Sequence, residues 1–81
     1  VSNTGRLRAL DDILKERNNQ DAQWGGPAHD DTHYSDDWWA YIGYQYRRFN
    51  DNPAEARDRF VKTAALALAA IESLDRKEKK A

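Results

Sequence analysis

Apolar side chains recur along this chain at intervals of three and four, the spacing of one helix face, in three separate stretches. In the first, Leu7, Leu10, Ile13 and Leu14 alternate with Arg6, Arg8, Asp12, Lys15 and Glu16. That pattern predicts an amphipathic helix over residues 5–19, capped by Thr4 or Ser2 and ending at Asn18 and Asn19. In the second, Trp38, Ile42, Tyr46 and Phe49 form a stripe behind Ser35, a favourable N-cap. Asp36 and Asp37 suit the positive end of a helix dipole there. Tryptophan and tyrosine also favour strands, but strict alternation is absent, so residues 36–49 read as a helix. The third stretch opens on Asn52 as cap, Pro53 at the first helical position and Glu55 as a capping-box acceptor. Phe60, Ala64, Ala67, Leu68, Ile71 and Leu74 then predict one apolar face on a helix over residues 53–77, followed by a frayed tail over 78–81.

The expected architecture is all-α: three helices in a single helical domain over residues 1–81. Helices two and three form an antiparallel hairpin through the tight Asn50–Asp51 connection, with helix one packed across it. The small side chains between Ala64 and Ala70 permit close approach of a neighbouring helix. Residues 20–34, with Gly25-Gly26-Pro27 as a turn signal, read as a long ordered loop.

Composition narrows what such a fold can do. Eighty-one residues make a small core, and the absence of cysteine excludes disulfides and thiolate metal sites. Association into a homo-oligomer is one way for such a chain to bury more surface. No apolar run approaches the length of about 18 residues that a membrane span needs, and the N-terminus is polar, so the cytoplasm is the expected compartment. Charge is unevenly placed. From Gln20 to Tyr46 there are five aspartates and no lysine or arginine, whereas Arg47 onward carries nine basic and six acidic residues. This does not resemble the footprint of a nucleic-acid binder, and it suits an acidic, aromatic surface facing a basic protein partner.

Candidate chemistry is sparse. His29, Asp30 and His33 come nearest to a metal-ligand set, beside Asp31 and Thr32, but a polar loop stabilised by its own hydrogen bonds is the better account of them. No metal, cofactor or catalytic residue is expected. Asp36 and Asp37 point about 100° apart on a helix and are explained by the dipole. Arg47, Arg48, Arg57, Arg59 and Lys62 could gather a phosphate, or pair with Asp51, Glu55 and Asp58. The aromatics carry more weight. Rings occur at so many positions of the second helix that one buried arc cannot hold them all, and exposed Trp and Tyr anchor interfaces. The expected partner-binding residues are Trp24, Asp30, Asp31, Tyr34, Asp36, Asp37, Trp39, Tyr41 and Tyr44.

The order Glu16-Arg17-Asn18-Asn19-Gln20, Gln23-Trp24-Gly25-Gly26, His29-Asp30-Asp31, Asp37-Trp38 and Ala64 through Arg76 resembles a set of small phage and prophage proteins. Those are similar in turn to the MazG-like all-α nucleotide pyrophosphatases. The resemblance spans roughly residues 14–76 and implies a helical, often dimeric or higher-order, mobile-element protein. MazG-like enzymes hold magnesium with Glu-Glu-x-x-Glu on one helix and Glu-x-x-Asp on a later one. Gly43-Tyr44-Gln45-Tyr46-Arg47-Arg48 has no carboxylate at the first place, and Glu72 with Asp75 supplies only the second. The expected function is therefore a non-catalytic protein-binding module of phage or mobile-element origin, acting in the host cytoplasm as an inhibitor of host defence such as an anti-CRISPR. The alternatives are a MazG-like nucleotide-binding or nucleoside triphosphate pyrophosphatase-related protein, and a small structural homo-oligomer.

Overall fold

The computed structural model describes residues 3–80, with side chains through Glu78. Within them the chain is all-α, with no strand. α1 spans Thr4–Trp24, α2 Gly26–Asp30, α3 Ser35–Asp51 and α4 Ala56–Lys80, with a 3-10 turn at Pro53–Glu55 between the last two. No helix among the described residues is long and apolar enough to cross a membrane.

Most of the segment that reads as a loop in sequence is helical. α1 does not stop at Asn19 but continues to Trp24. Gly25 ends it with a φ of 104°, and its N–H donates to the Asp21 carbonyl. Pro27 then falls in the first turn of α2, where a missing N–H costs nothing. Gly25-Gly26-Pro27 is thus a helix stop followed at once by a helix start, and only residues 31–34 remain as a connection. Gly25→Ala places a side chain in the left-handed region and is expected to cost about 1–2 kcal/mol. The added Cβ would sit 3.4 Å from the His29 Cβ, so the strain falls on the backbone more than on a clash. A lower urea midpoint with an unchanged m-value checks it.

The other helix ends depart from the pattern in smaller ways. Asn3, not Thr4, is the N-cap residue of α1, and Ser2 lies outside the described residues. Tyr34, not Ser35, is the N-cap of α3: its backbone is extended, its carbonyl accepts from the Asp37 N–H at 3.0 Å, and its own N–H donates to the Asp37 carboxylate at 2.8 Å. Asn52 precedes the 3-10 turn and donates from its side chain to Glu55 at 3.0 Å. The tail that reads as frayed from residue 78 is helical through Lys80, and Ala81 lies outside the described residues.

α4 is the spine. α3 runs along it in the opposite sense, with Gln45 beside Arg59 and His33, just before α3, beside Lys77. α1 runs in the same sense as α4, with Asp12 paired to Arg57 and Glu16 to Lys62. Among the described residues the backbones of α1 and α3 do not come close, so α1 lies along α4 and beside α2 and is not laid across both helices of the hairpin.

The buried side of α4 is its small side: Ala65, Ala69 and Ser73 are at most 2 % exposed. Their size lets both neighbouring backbones come close. The larger apolar residues turn outward. Phe60, Ile71 and Leu74 of the expected inward face are exposed, as are Leu7, Leu10 and Leu14 of α1. Trp38, 6 % exposed, is the one large apolar side chain buried among the described residues.

Candidate binding cleft

Because α1 and α3 stand apart on α4, the gap between them forms a cleft of about 470 Å³. Leu66 and Ala69 of α4 floor it, Glu16 and Gln20 of α1 form one wall, and Tyr41 and Tyr44 of α3 form the other. Trp24 stands on the rim, exposed. The polar groups of the floor are partly committed: Arg59 donates to Gln45 at 3.0 Å and to Glu55 at 2.6 Å, and Lys62 to Asp58 at 3.1 Å. Arg57 is taken by Asp12 at 2.7 Å. These cations therefore form carboxylate pairs and do not converge as a phosphate cluster. The Gln20 side chain donates to Glu16 at 3.3 Å, while its Oε1 is buried without a partner.

One end of the cleft is closed by a charged network. Arg17, 7 % exposed, donates to Asp21, to Asp30 at 2.7 Å and to Glu72 at 3.2 Å. Burial works against its charge, but the hydrogen bond to Glu72, the charge of Asp30 and the contact with Asp21 outweigh that and raise the guanidinium pKa. Beside it Arg76 holds Asp31 through Nε at 3.1 Å and Nη2 at 2.8 Å, and the Ser73 hydroxyl donates to the same carboxylate at 2.9 Å. The two networks tie α1, α2 and the turn after it to the later half of α4.

This placement corrects the acidic half of the expected docking face. Asp30 is buried against Arg17, Asp31 is held by Arg76 and Ser73, and Asp37 accepts the Tyr34 N–H. The run has no cation of its own, so the fold brings arginines to it from α1 and α4; Asp36 is left exposed. The aromatic half is outside the core as expected. Trp24, Tyr41 and Tyr44 meet at the cleft, whereas Tyr34 stands apart with Lys77 5.5 Å from its ring centre, and Trp39 does not line the cleft.

The fold pairs two of the metal-ligand candidates but does not gather all three around one point. The Asp30 carboxylate is engaged by Arg17, and His29 and His33 face one another with Nε2 atoms 3.1 Å apart. No group of three histidine, aspartate or glutamate residues among the described residues is placed to hold an ion. The His33 ring packs edge-on against Trp38 and Tyr41, each centre 5.2 Å away, and so stiffens the cleft wall. Glu72, half of the Glu-x-x-Asp pair, is occupied by Arg17.

Sequence reasoning missed Arg17 and Gln20 as residues of this site. The signal for Arg17 was there: it continues the Leu10, Ile13, Leu14 spacing, so a cation stands where an apolar residue would extend the stripe. Gln20 carries no such mark. Comparison of the chain with protein-family models, curated proteins and solved structures returned no match.

Proposed function

We infer that the chain is a binding module without catalytic chemistry of its own, which receives a projecting segment of a partner protein in the cleft between α1 and α3. The observation that carries this is the meeting of the exposed rings of Trp24, Tyr41 and Tyr44 around a gap between two helices whose backbones stay apart. Large amphipathic rings lose little conformational freedom on binding and supply most of the energy of many interfaces. Gln20, with an acceptor left over, and Glu16 offer the polar contacts that would orient the incoming segment. A basic partner surface is no longer required, since three of the aspartates that would have faced it are engaged within the chain. The resemblance to small phage proteins extends the reading to an inhibitor of host defence.

Affinity capture from a host lysate, followed by titration of the captured protein, tests this. Joint replacement of Trp24 and Tyr44 by alanine is expected to remove about 2 kcal/mol or more, at least roughly a 30-fold rise in Kd. Reversal of Asp36 should change Kd by no more than a few-fold. An affinity unaffected by the aromatic pair would refute the cleft as the docking site.

A second reading is a small planar ligand such as a nucleotide base, in line with a MazG-related protein. The cleft volume falls in the range of small-molecule sites, about 300–1,000 Å³, and the Gln20 Oε1 would accept a ligand N–H. A rise in Tm with millimolar nucleoside triphosphate and magnesium, abolished by Gln20→Leu, would favour it over the protein segment.

A further inference from the structure

Phe60, Ala64, Ala67, Ile71 and Leu74 follow one another at intervals of four, three, four and three, the a/d repeat of a helix that packs on another helix. Inside this fold the three large ones are left exposed, while Ala64 and Ala67 between them are half-buried. Phe60 is 72 %, Ile71 57 % and Leu74 50 % exposed, while the small side of α4 faces its neighbours. The positions flanking the central seam, Val61, Thr63, Leu68 and Ala70, are uncharged, so a second helix could settle there without burying a charge. Ala64 and Ala67 at the middle permit an approach of about 8 Å between helix axes. The seam also continues sideways, since Tyr46 and Phe49 of α3 share an apolar groove with Phe60.

The exposed area is large enough for a second copy of the chain. The chain exposes 6025 Å², whereas a compact monomer of its 9.4 kDa exposes about 5,000 Å². The excess, about 1,000 Å², is close to the roughly 800 Å² that each partner contributes to a standard interface. A two-fold dimer meets this with one self-complementary patch, and it adds an apolar core to a chain whose buried apolar side chains, among the described residues, are Trp38, Ala65 and Ala69. We propose that two copies of the chain associate through the outward seam of α4, seam against seam. The dimer stands independently of the cleft, because the cleft is lined by the other side of α4, at Leu66 and Ala69.

Light scattering on a sizing column, over roughly micromolar to several hundred micromolar protein, is the first measurement. The expected result is about twice the 9.4 kDa chain mass at the upper concentrations. Ile71→Glu should return the chain mass with its helical circular dichroism kept. The absence of cysteine allows a second readout that does not depend on that variant folding. Ala67→Cys lies at the seam centre, next to its own copy whichever way the helices cross, and should form a disulfide-linked dimer at least about tenfold faster than Ala22→Cys on exposed α1. A wild-type chain mass at every concentration would overturn the proposal. So would a dimer that Ile71→Glu leaves intact, or cross-linking no faster at residue 67 than at residue 22.

Discussion

Arg17→Ala is expected to lower the unfolding free energy by about 3–5 kcal/mol, enough to leave a chain of this size barely folded. Among the described residues Arg17 is the one cation that reaches Asp21, Asp30 and Glu72 together, and Asp30 is only 6 % exposed. Truncation strands the Asp30 carboxylate in a site water scarcely enters, and it also frees the contact that joins α1 to α4 through Glu72. Arg17→Lys should recover only part of the loss, since a single ammonium cannot reproduce the planar fork that contacts three carboxylates. Arg17→Met combined with Asp30→Leu should recover more, because no charge is then left buried. Urea unfolding followed by circular dichroism separates these outcomes. A loss below about 1 kcal/mol for Arg17→Ala would mean that the pairs behave as ordinary surface ion pairs, and the account of the network would fall.

Trp38→Ala should cost a similar amount, about 3–5 kcal/mol, by removing the largest buried side chain and leaving a cavity. The consequence reaches beyond stability. Trp38 packs against His33 and, with ring centres 6.1 Å apart, against Tyr41, so it braces the aromatic wall of the cleft from behind. Trp38→Phe keeps an apolar ring and should retain most of the stability. Fluorescence provides an independent check, because Trp24 and Trp39 are exposed and Trp38 is not. Loss of Trp38 should remove the blue-shifted part of the emission, whereas an unchanged spectrum would contradict its burial.

The two variants bear on different parts of what is legible in the sequence. Helix periodicity is local, so the all-α class and the positions of the three long helices follow from spacing, caps and propensity within each stretch. Pro53 and Glu55 after Asn52 marked the α3–α4 junction because capping is also a local event. The same local logic failed at Gly25-Gly26-Pro27. A stop and a start placed back to back look like a loop unless the hydrogen bond from the Gly25 N–H to Asp21 is known.

Which face of a helix turns inward is a different kind of question. α4 carries two apolar sides, one large and one small, and periodicity alone favours the larger. Packing chose Ala65, Ala69 and Ser73, because only small side chains let α1 and α3 both lie close to one helix. Charge followed the same rule. Asp21 has Arg17 one helical turn away, but Asp30 and Asp31 have no cation near them in sequence, and Arg17 and Arg76 meet them across separations of 13 and 45 residues. By itself the sequence determined the helices, their chemistry and the surplus of aromatic rings, since each depends on neighbours within a few residues. Only the tertiary structure decided which rings share a cleft, which aspartates are already neutralised and which apolar seam is left uncovered, since each depends on groups that the chain brings together from a distance.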